Sequence, residues 1–378
     1  MSDTPRQVLL VASIDAVGIA RLPSLFSGAG YEVFLLGSDH MAVGKSRFVS
    51  HRISCPRGVN VTAAALRGHL ITHPNTYDSV VIADEPTLLA VLQEESNEWL
   101  KGWFPVPITH RHVQRLQSKA HFLLDSREAG IKTPRFEVCA NETQLRAAVG
   151  RMGFPLFVKG AQGFAGSGLL FARTSADLEG QLTKVEFGAP VLVEEEIAGD
   201  TGSIPVIYDR GNPICWFAYR MKHTWPTRFS SACTVAISDH REVESLVRNV
   251  GRLTEFHGLC GIDWMTDSLT GRIMLLEFNP RPLPTAYLGP YAGVDFSKAL
   301  QTIGSAECVV QRPDRSGAVI DMFPQAFYYS LEHRELGRTL RTFHDAPWSD
   351  PLLAAAHLRR VITHHIPGSV KRIFKPPD

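Results

Sequence analysis

The chain has 378 residues, 44% of them apolar, and its 39 basic side chains against 38 acidic ones leave a formal charge of +1. That length exceeds one ordinary core and predicts two or three domains, while the balanced charge excludes affinity built on a global basic field, so the expected partner is a small molecule rather than nucleic acid or a membrane surface. The six cysteines form no C-x-x-C pair, which argues against a zinc site or a disulfide framework and fits a reducing compartment. The start, MSDTPRQVLLVAS, is polar and then only briefly apolar, unlike a signal peptide, and no stretch reaches the roughly 18 apolar residues of a membrane helix. A soluble cytoplasmic protein is expected.

In chain order, QVLLVAS (7–13) reads as a buried strand, GIARLPSLFSGAG as a helix closed by glycine, and YEVFLLG as a second strand; SVVIAD (79–84) repeats the pattern. This predicts a parallel α/β domain over 1–108. Its first turn, SIDAVG, lacks the G-x-G-x-x-G of a dinucleotide site. A connection rich in proline and aromatics (102–112) leads to one amphipathic helix over 113–130, a strand within IKTPRFEV, and a helix capped by Asn141 that runs to Gly153. FPLFVKG and the glycine-rich AQGFAGSGLL form a strand, loop and returning strand, unlike the strand-to-helix order of a Walker loop. An apolar strand turning acidic (PVLVEEEIAGD) follows, then strands near 204–208 and 214–220 around the turn DRGNP, a long amphipathic helix (239–258), and a β-hairpin turned at DSLTG. The last seventy residues mix short helices that periodicity does not place.

The hairpin carries the chemistry. Glu277, Asn279 and Arg281 are spaced two apart, so a strand projects them to one side and sends Leu276 and Phe278 to the core. With the turn centred near Leu269, Asp263 lies across from about Leu275 and shares their face. Two carboxylates and an amide oxygen suit Mg²⁺, although a solvent-facing hairpin edge carries acidic residues as readily. Lys159 ends an apolar strand, where an ammonium calls for an anion, and the glycines of 163–168 allow a backbone to approach phosphates. The histidines of THRH (109–112) and THHIP (363–367) lack further ligands at metal spacing and read as surface or packed residues.

Four segments in this order, SKAHFLLDSREAGIKTP (118–134), GFPLFVKGAQGFAGSG (153–168), VLVEEEIAGD (191–200) and GIDWMTDSLTGRIMLLEFNPRP (261–282), resemble the ATP-grasp superfamily. The likeness is strongest to the branch of carbamoyl phosphate synthetase large chain and biotin carboxylase, with D-alanine ligases more distant. It implies an ATP-grasp fold of mixed α/β and α+β class: a pre-ATP-grasp domain (1–108), an ATP-grasp domain (109–305) with its lid at about 119–190 and metal-site half at about 191–305, and a C-terminal extension (306–378). It also implies that Lys119 and Lys159 hold ATP phosphates, that the loop with Gly163, Gly166, Ser167 and Gly168 closes over them, and that Glu194, Glu195, Glu196 and Ile197 form the hinge that reads adenine. Asp263, Glu277 and Asn279 would bind two Mg²⁺ ions, with Mn²⁺ as a substitute, and Arg281 would steady the carboxylate or acyl phosphate. Where relatives place a ribose-binding glutamate this chain has Thr201, with Asp200 beside it as the substitute. Arg220, and more weakly Lys222 and Arg228, are candidates for a substrate carboxylate; His223 is not favoured as a base. The activity implied is ATP-dependent joining of a carboxylate to an amine, both small and amino-acid-like, by a protein for which a homodimer is an option. A carboxylase or carbamoyl-phosphate type enzyme working through carboxyphosphate, and a non-catalytic ATP-binding regulator, are the alternatives.

Overall fold

The computed structural model describes residues 5–94, 98–160 and 169–365. Its first sheet contains β1 (Arg6–Val11), β2 (Tyr31–Gly37), β3 (His51–Ser54) and β4 (Ser79–Ile82), all parallel, in the order β3-β2-β1-β4. β1 is apolar on both faces, with Val8 and Leu10 in one core and Leu9 and Val11 in another, as a strand covered on both sides must be. Because the chain adds β2 and β3 on one side of β1 and β4 on the other, the strand order reverses at β1/β4. The crevice outside the C-terminal ends of such a pair is where open α/β sheets bind ligands. Asp84 ties the two exits together, accepting from the backbone N–H of Ser13 at 2.7 Å and of Thr87 at 2.9 Å. The second contact caps the helix Glu85–Leu92.

The helix expected over 113–130 is two helices, His110–Gln117 and Lys119–Glu128. Ser118 is extended between them and caps the second through its side chain, which makes Lys119 the first helical residue. Beyond lies an antiparallel sheet of β5 (Phe136–Cys139), β6 (Leu156–Gly160), β7 (Leu169–Ala172) and β8 (Val191–Glu195), ordered β5-β8-β6-β7. Asn141 caps the helix Glu142–Met152, and Gly153 ends it at φ 76°, a conformation natural to glycine.

The largest sheet is antiparallel: β9 (Thr201–Asp209), β10 (Asn212–Trp216), β11 (Ala218–Thr224), β12 (Ala232–Ser238), β13 (Gly258–Thr266), β14 (Ile273–Asn279) and β15 (Val319–Asp321). Its order is β14-β13-β9-β11-β12-β15, with β10 also paired to β9. The single strand expected near 214–220 is thus two, because β10 pairs with the far half of β9 and β11 with its start. β15 comes from the segment that periodicity does not place, and it joins the sheet edge at β12. Alternation gives the sheet two faces. Ile204, Val206, Ile262, Trp264 and Leu275 pack with Phe122 and Val247 from flanking helices, while Ile207, Tyr219 and Val235 belong to the core shared with the first sheet.

The C-terminal segment returns to the N-terminal sheet: Ser46 Oγ bonds to Asp350 at 2.5 Å, and Arg360 pairs with Asp15. Among the described residues, no helix is long and apolar enough to cross a membrane. His357, in the helix Pro351–His365, is fully buried, and neither ring nitrogen has a hydrogen-bond partner among the described residues. Burial, reinforced by Arg21 and Arg360, pushes its pKa down to about 4, well below the ordinary 6.5. The folded chain therefore holds His357 neutral while the unfolded chain takes up a proton below 6.5, so this contribution is complete at neutral pH and is lost as pH falls toward 4. Acidification from pH 7 to pH 4.5 is expected to cost about 2 kcal/mol through this group. The measurement is urea unfolding at both pH values: His357→Leu should show a shallower loss than the parent, and equal slopes would exclude the buried neutral imidazole as a source.

Candidate active site

The hairpin of β13 and β14 does not pair in the expected register. Asp263 stands opposite Glu277 and Gly261 opposite Asn279, but Trp264 is opposite Leu275, so Leu276 is an extra residue, a β-bulge. Ile273 and Leu275 point into the helix-covered core, and strict alternation would send Glu277 after them. The bulge shifts the phase by one residue. Phe278 then takes the core position, whereas Leu276, Glu277 and Asn279 turn to the opposite side and line a cavity with Asp263 and Arg281. The expectation that Leu276 packs in the core is corrected accordingly. The freed backbone N–H of Leu275 donates to the Lys132 carbonyl at 2.8 Å.

This cavity, of about 450 Å³, lies between the three sheets. Lys119 reaches it from its helix N-terminus, Lys159 from the end of β6, and Glu85 from the exit of β4. Lys119 Nζ lies 2.7 Å from Glu277 and 3.9 Å from Glu85, and Arg281 Nε lies 3.9 Å from Glu85. Asp263 accepts from Ser203 Oγ at 2.5 Å and from the Asn279 amide at 3.0 Å, while the Asn279 oxygen accepts from Arg281 at 3.3 Å. Burial, and then the Glu277 charge, raise the pKa of Asp263. Burial also raises Glu85, with Lys119 opposing and Glu277 adding to the effect. For Lys119, burial favours the neutral amine, but Glu277 and Glu85 outweigh it and its pKa is raised. Among the described residues no group of three His, Cys, Asp or Glu side chains is arranged as a metal site. The donor set of two adjoining carboxylates and one amide nevertheless fits a hard cation that keeps other positions for phosphate oxygens, and a cation there would relieve the repulsion that raises Asp263.

Other expected residues lie elsewhere. Arg220 is on the face of β11 opposite Tyr219 and Met221, both of which line the cavity, and it pairs at 2.9 Å with Asp200; neither member of this pair lines the cavity. Strand alternation is the reason. Glu194 turns its carboxylate to Lys159, Glu195 pairs with Arg135 at 2.7 Å, and Glu196 pairs with Arg228 at 3.4 Å. The backbone N–H groups of Glu195 and Glu196 donate to the carbonyls of Arg135 and Pro155, and none of Glu194 to Ile197 lines the cavity, which meets β8 at Leu192 instead. Lys222 is exposed, and His223 packs on Tyr329 with ring centroids 4.7 Å apart. Gly163, Gly166, Ser167 and Gly168 fall outside the described residues. Among the lining residues that escaped the sequence reading are three charged ones, Arg21, Asp84 and Glu85. All three follow the C-terminal ends of the strands at the reversal point, and that topology was the signal available for finding them.

Residues 124–288 match the model of the ATP-grasp domain. The chain carries an ATP-grasp domain. Lys159, Asp263, Glu277, Asn279 and Arg281 fall inside the ATP-grasp match, whereas Lys119, Glu85 and Arg21 precede it. D-Alanine–D-alanine ligase of Aromatoleum aromaticum is 28% identical over 182 residues, covering 44% of this chain and 59% of that protein. The corresponding enzyme of Pseudomonas entomophila is 30% identical over 190 residues, covering 46% and 59%. The chain thus spans about three fifths of the length of these relatives. In fold, the chain is similar to N5-carboxyaminoimidazole synthetase from Staphylococcus aureus complexed with ADP, with a TM-score of 0.66 at 16% identity over 88% of this chain and 86% of that one. It is also similar to L-amino acid ligase from Bacillus licheniformis, with a TM-score of 0.64 at 16% identity over 85% and 81%. The ATP-grasp fold, with its N-terminal parallel sheet, extends across most of the chain.

The Lys159–Glu194 pair yields a test of the site's construction. Glu194 is 3% exposed, so removing its partner strands a buried carboxylate. Lys159→Met should cost on the order of 2 kcal/mol of stability, below the 3–5 kcal/mol of a fully buried pair because the lysine is partly open to the cavity. Adding Glu194→Gln should restore most of that loss in urea unfolding, and a double variant no more stable than the single one would refute the pairing.

Proposed function

We propose that the chain is an ATP-dependent ligase that joins a carboxylate to an amine through an acyl phosphate and releases ADP and phosphate. The observation that carries this reading is the convergence of Lys119, Lys159, Asp263, Glu277, Asn279 and Arg281, from three separate parts of the chain, on one cavity. A carboxylate and a triphosphate repel each other, and a site for their reaction must supply positive charge that is fixed in advance. Lys159 and Lys119 are placed to hold phosphate oxygens, and Arg281, with a planar fork of donors, to hold the carboxylate as its oxygen attacks the γ-phosphorus and ADP departs. Asp263, Glu277 and Asn279 would hold Mg²⁺, in one or two ions, which supplies charge neutralisation to the β and γ phosphates when bound. Glu277, released from Lys119 on nucleotide binding, changes partner in this scheme.

The second step is attack of the amine nitrogen on the acyl carbon, with loss of phosphate. The attacking ammonium must first give up a proton, and Glu85, whose proton affinity is raised by burial, stands at the cavity wall to accept it. The substrates are a small acid and a small amine, amino-acid-like, and the cytoplasm is the compartment that supplies ATP. In this reading 1–108 presents Glu85, 109–305 grips the nucleotide and the C-terminal extension adds Met322, Phe323 and Gln325 to the cavity wall.

The test is ADP release from full-length protein with Mg²⁺, ATP and pairwise panels of acids and amines. Release requiring both an acid and an amine is expected, and Glu277→Gln should lower it by at least about 1000-fold while the melting temperature stays within a few degrees. Bicarbonate-dependent release without any amine would replace this reading with a carboxylase, and full activity of Glu277→Gln would remove the proposed metal role.

A further inference from the structure

Four cationic side chains line the cavity among the described residues: Lys119, Lys159, Arg281 and Arg21. The first three belong to the phosphate and carboxylate end described above. Arg21 stands apart, on the segment that follows β1, and its surroundings are built by the C-terminal segment. Its Nη2 donates to the backbone oxygen of Asp345 and lies 3.3 Å from Asp345 Oδ2, and its guanidinium lies over the Tyr287 ring, 4.5 Å from the centroid. Asp345 is 7% exposed and is held in turn by Tyr287 Oη at 2.8 Å and the Phe323 N–H at 2.9 Å. Among the described residues all side-chain hydrogen bonds of Arg21 run through Nη2 to Asp345, which leaves Nε and Nη1 to donate elsewhere. The side chain is only 11% exposed and lines the cavity.

Three features define what such a group would bind. A guanidinium locked by stacking and by a buried carboxylate offers a planar donor edge at little entropic cost, the geometry that matches a carboxylate. Asp345 already offsets the Arg21 charge, so the pair is neutral and a monoanion adds less uncompensated charge than a phosphate dianion would. The neighbouring wall is apolar, with Ile14, Val17, Leu22, Met221, Met322 and Phe323. The segment is also held at a set distance from the reacting end. A Cβ built on Gly18 would lie 1.9 Å from Pro284 Cβ, so only glycine allows the loop to dock there, three residues before Arg21 and against a residue three after Arg281.

We propose that Arg21 binds a second, non-reacting carboxylate carried on an apolar body, which makes the substrate of this site an apolar amino acid acceptor or an apolar diacid. The proposal rests on the ligase reading for its chemistry, but its binding test does not need turnover. Full-length protein, Arg21→Lys and Arg21→Met are compared with Mg²⁺ and a non-hydrolysable ATP analogue by calorimetry. The probes are both enantiomers of phenylalanine against phenethylamine, and phenylsuccinate against 3-phenylpropanoate; the first pair reports an acceptor carboxylate and the second a diacid. In one of the two pairs, the wild-type protein should favour the member with the extra carboxylate by roughly 100-fold, the value of one charge-assisted forked contact. Arg21→Met should erase that preference and Arg21→Lys most of it, with affinity for the ATP analogue within about twofold of wild type. In turnover assays with a productive pair the same loss should appear in KM more than in kcat. A wild-type protein with no preference in either pair, or variants of unchanged melting temperature that keep the preference, would overturn the proposal. Absence of ADP formation with every pair, beside an intact Arg21-dependent preference, would instead count against the ligase reading alone.

Discussion

The single extra residue in β14 decides where the charge goes. Without the bulge at Leu276, the alternation set by Ile273 and Leu275 would carry Glu277 into a core of Phe122, Phe256 and Trp264, where an unpaired carboxylate is prohibitively costly. With it, the strand keeps an apolar face to the helices and still delivers Glu277, Asn279 and Arg281 beside Asp263. The rest of the cavity is arranged around that edge: Lys119 at a helix start created by the break at Ser118, Lys159 held by Glu194, and Glu85 carried in by the exit of β4.

The charges at this edge are not relaxed by their own neighbours. Burial and the Glu277 charge raise the proton affinity of Asp263 and of Glu85; Arg281 offsets part of that at both, and Lys119 at Glu85. An ion pair such as Lys119–Glu277 at 2.7 Å is a natural resting arrangement for groups that must exchange partners when a polyanion arrives. The Arg21–Asp345–Tyr287 cluster differs in kind. Its carboxylate is buried and its Oδ2 accepts from three donors, so it acts as a fixed support for one guanidinium edge.

Much of the architecture was legible as pattern. The alternating parallel strands β1, β2 and β4, the Asn141-capped helix, the hairpin of β6 and β7, and the hairpin turned at DSLTG follow from local periodicity and turn chemistry, which act over a few residues. The failures share a cause. A periodicity reading merged 113–130 into one helix because Ser118 is a small break in an otherwise continuous apolar stripe, and it merged β10 with β11 because ICWFAY (214–219) reads as one apolar run and only pairing with different halves of β9 separates the two strands. The candidates Arg220 and Asp200 were chosen by position along the chain. Which face of β11 meets the cavity depends on partners that the local sequence does not specify, and alternation turned Tyr219 and Met221 inward instead.

By itself, then, the sequence determined the order of the elements and the chemical character of the central hairpin, since residue type, short-range spacing and turn residues are properties of contiguous chain. Only the tertiary structure decided the register of that hairpin, the faces of β11 and β8 that meet the cavity, and the arrival of Arg21 and Glu85 from the reversal point of the first sheet. These outcomes depend on contacts between segments far apart in the chain, such as Arg21 with Asp345 and Arg281 with Glu85, and such contacts exist only once the backbone has closed on itself.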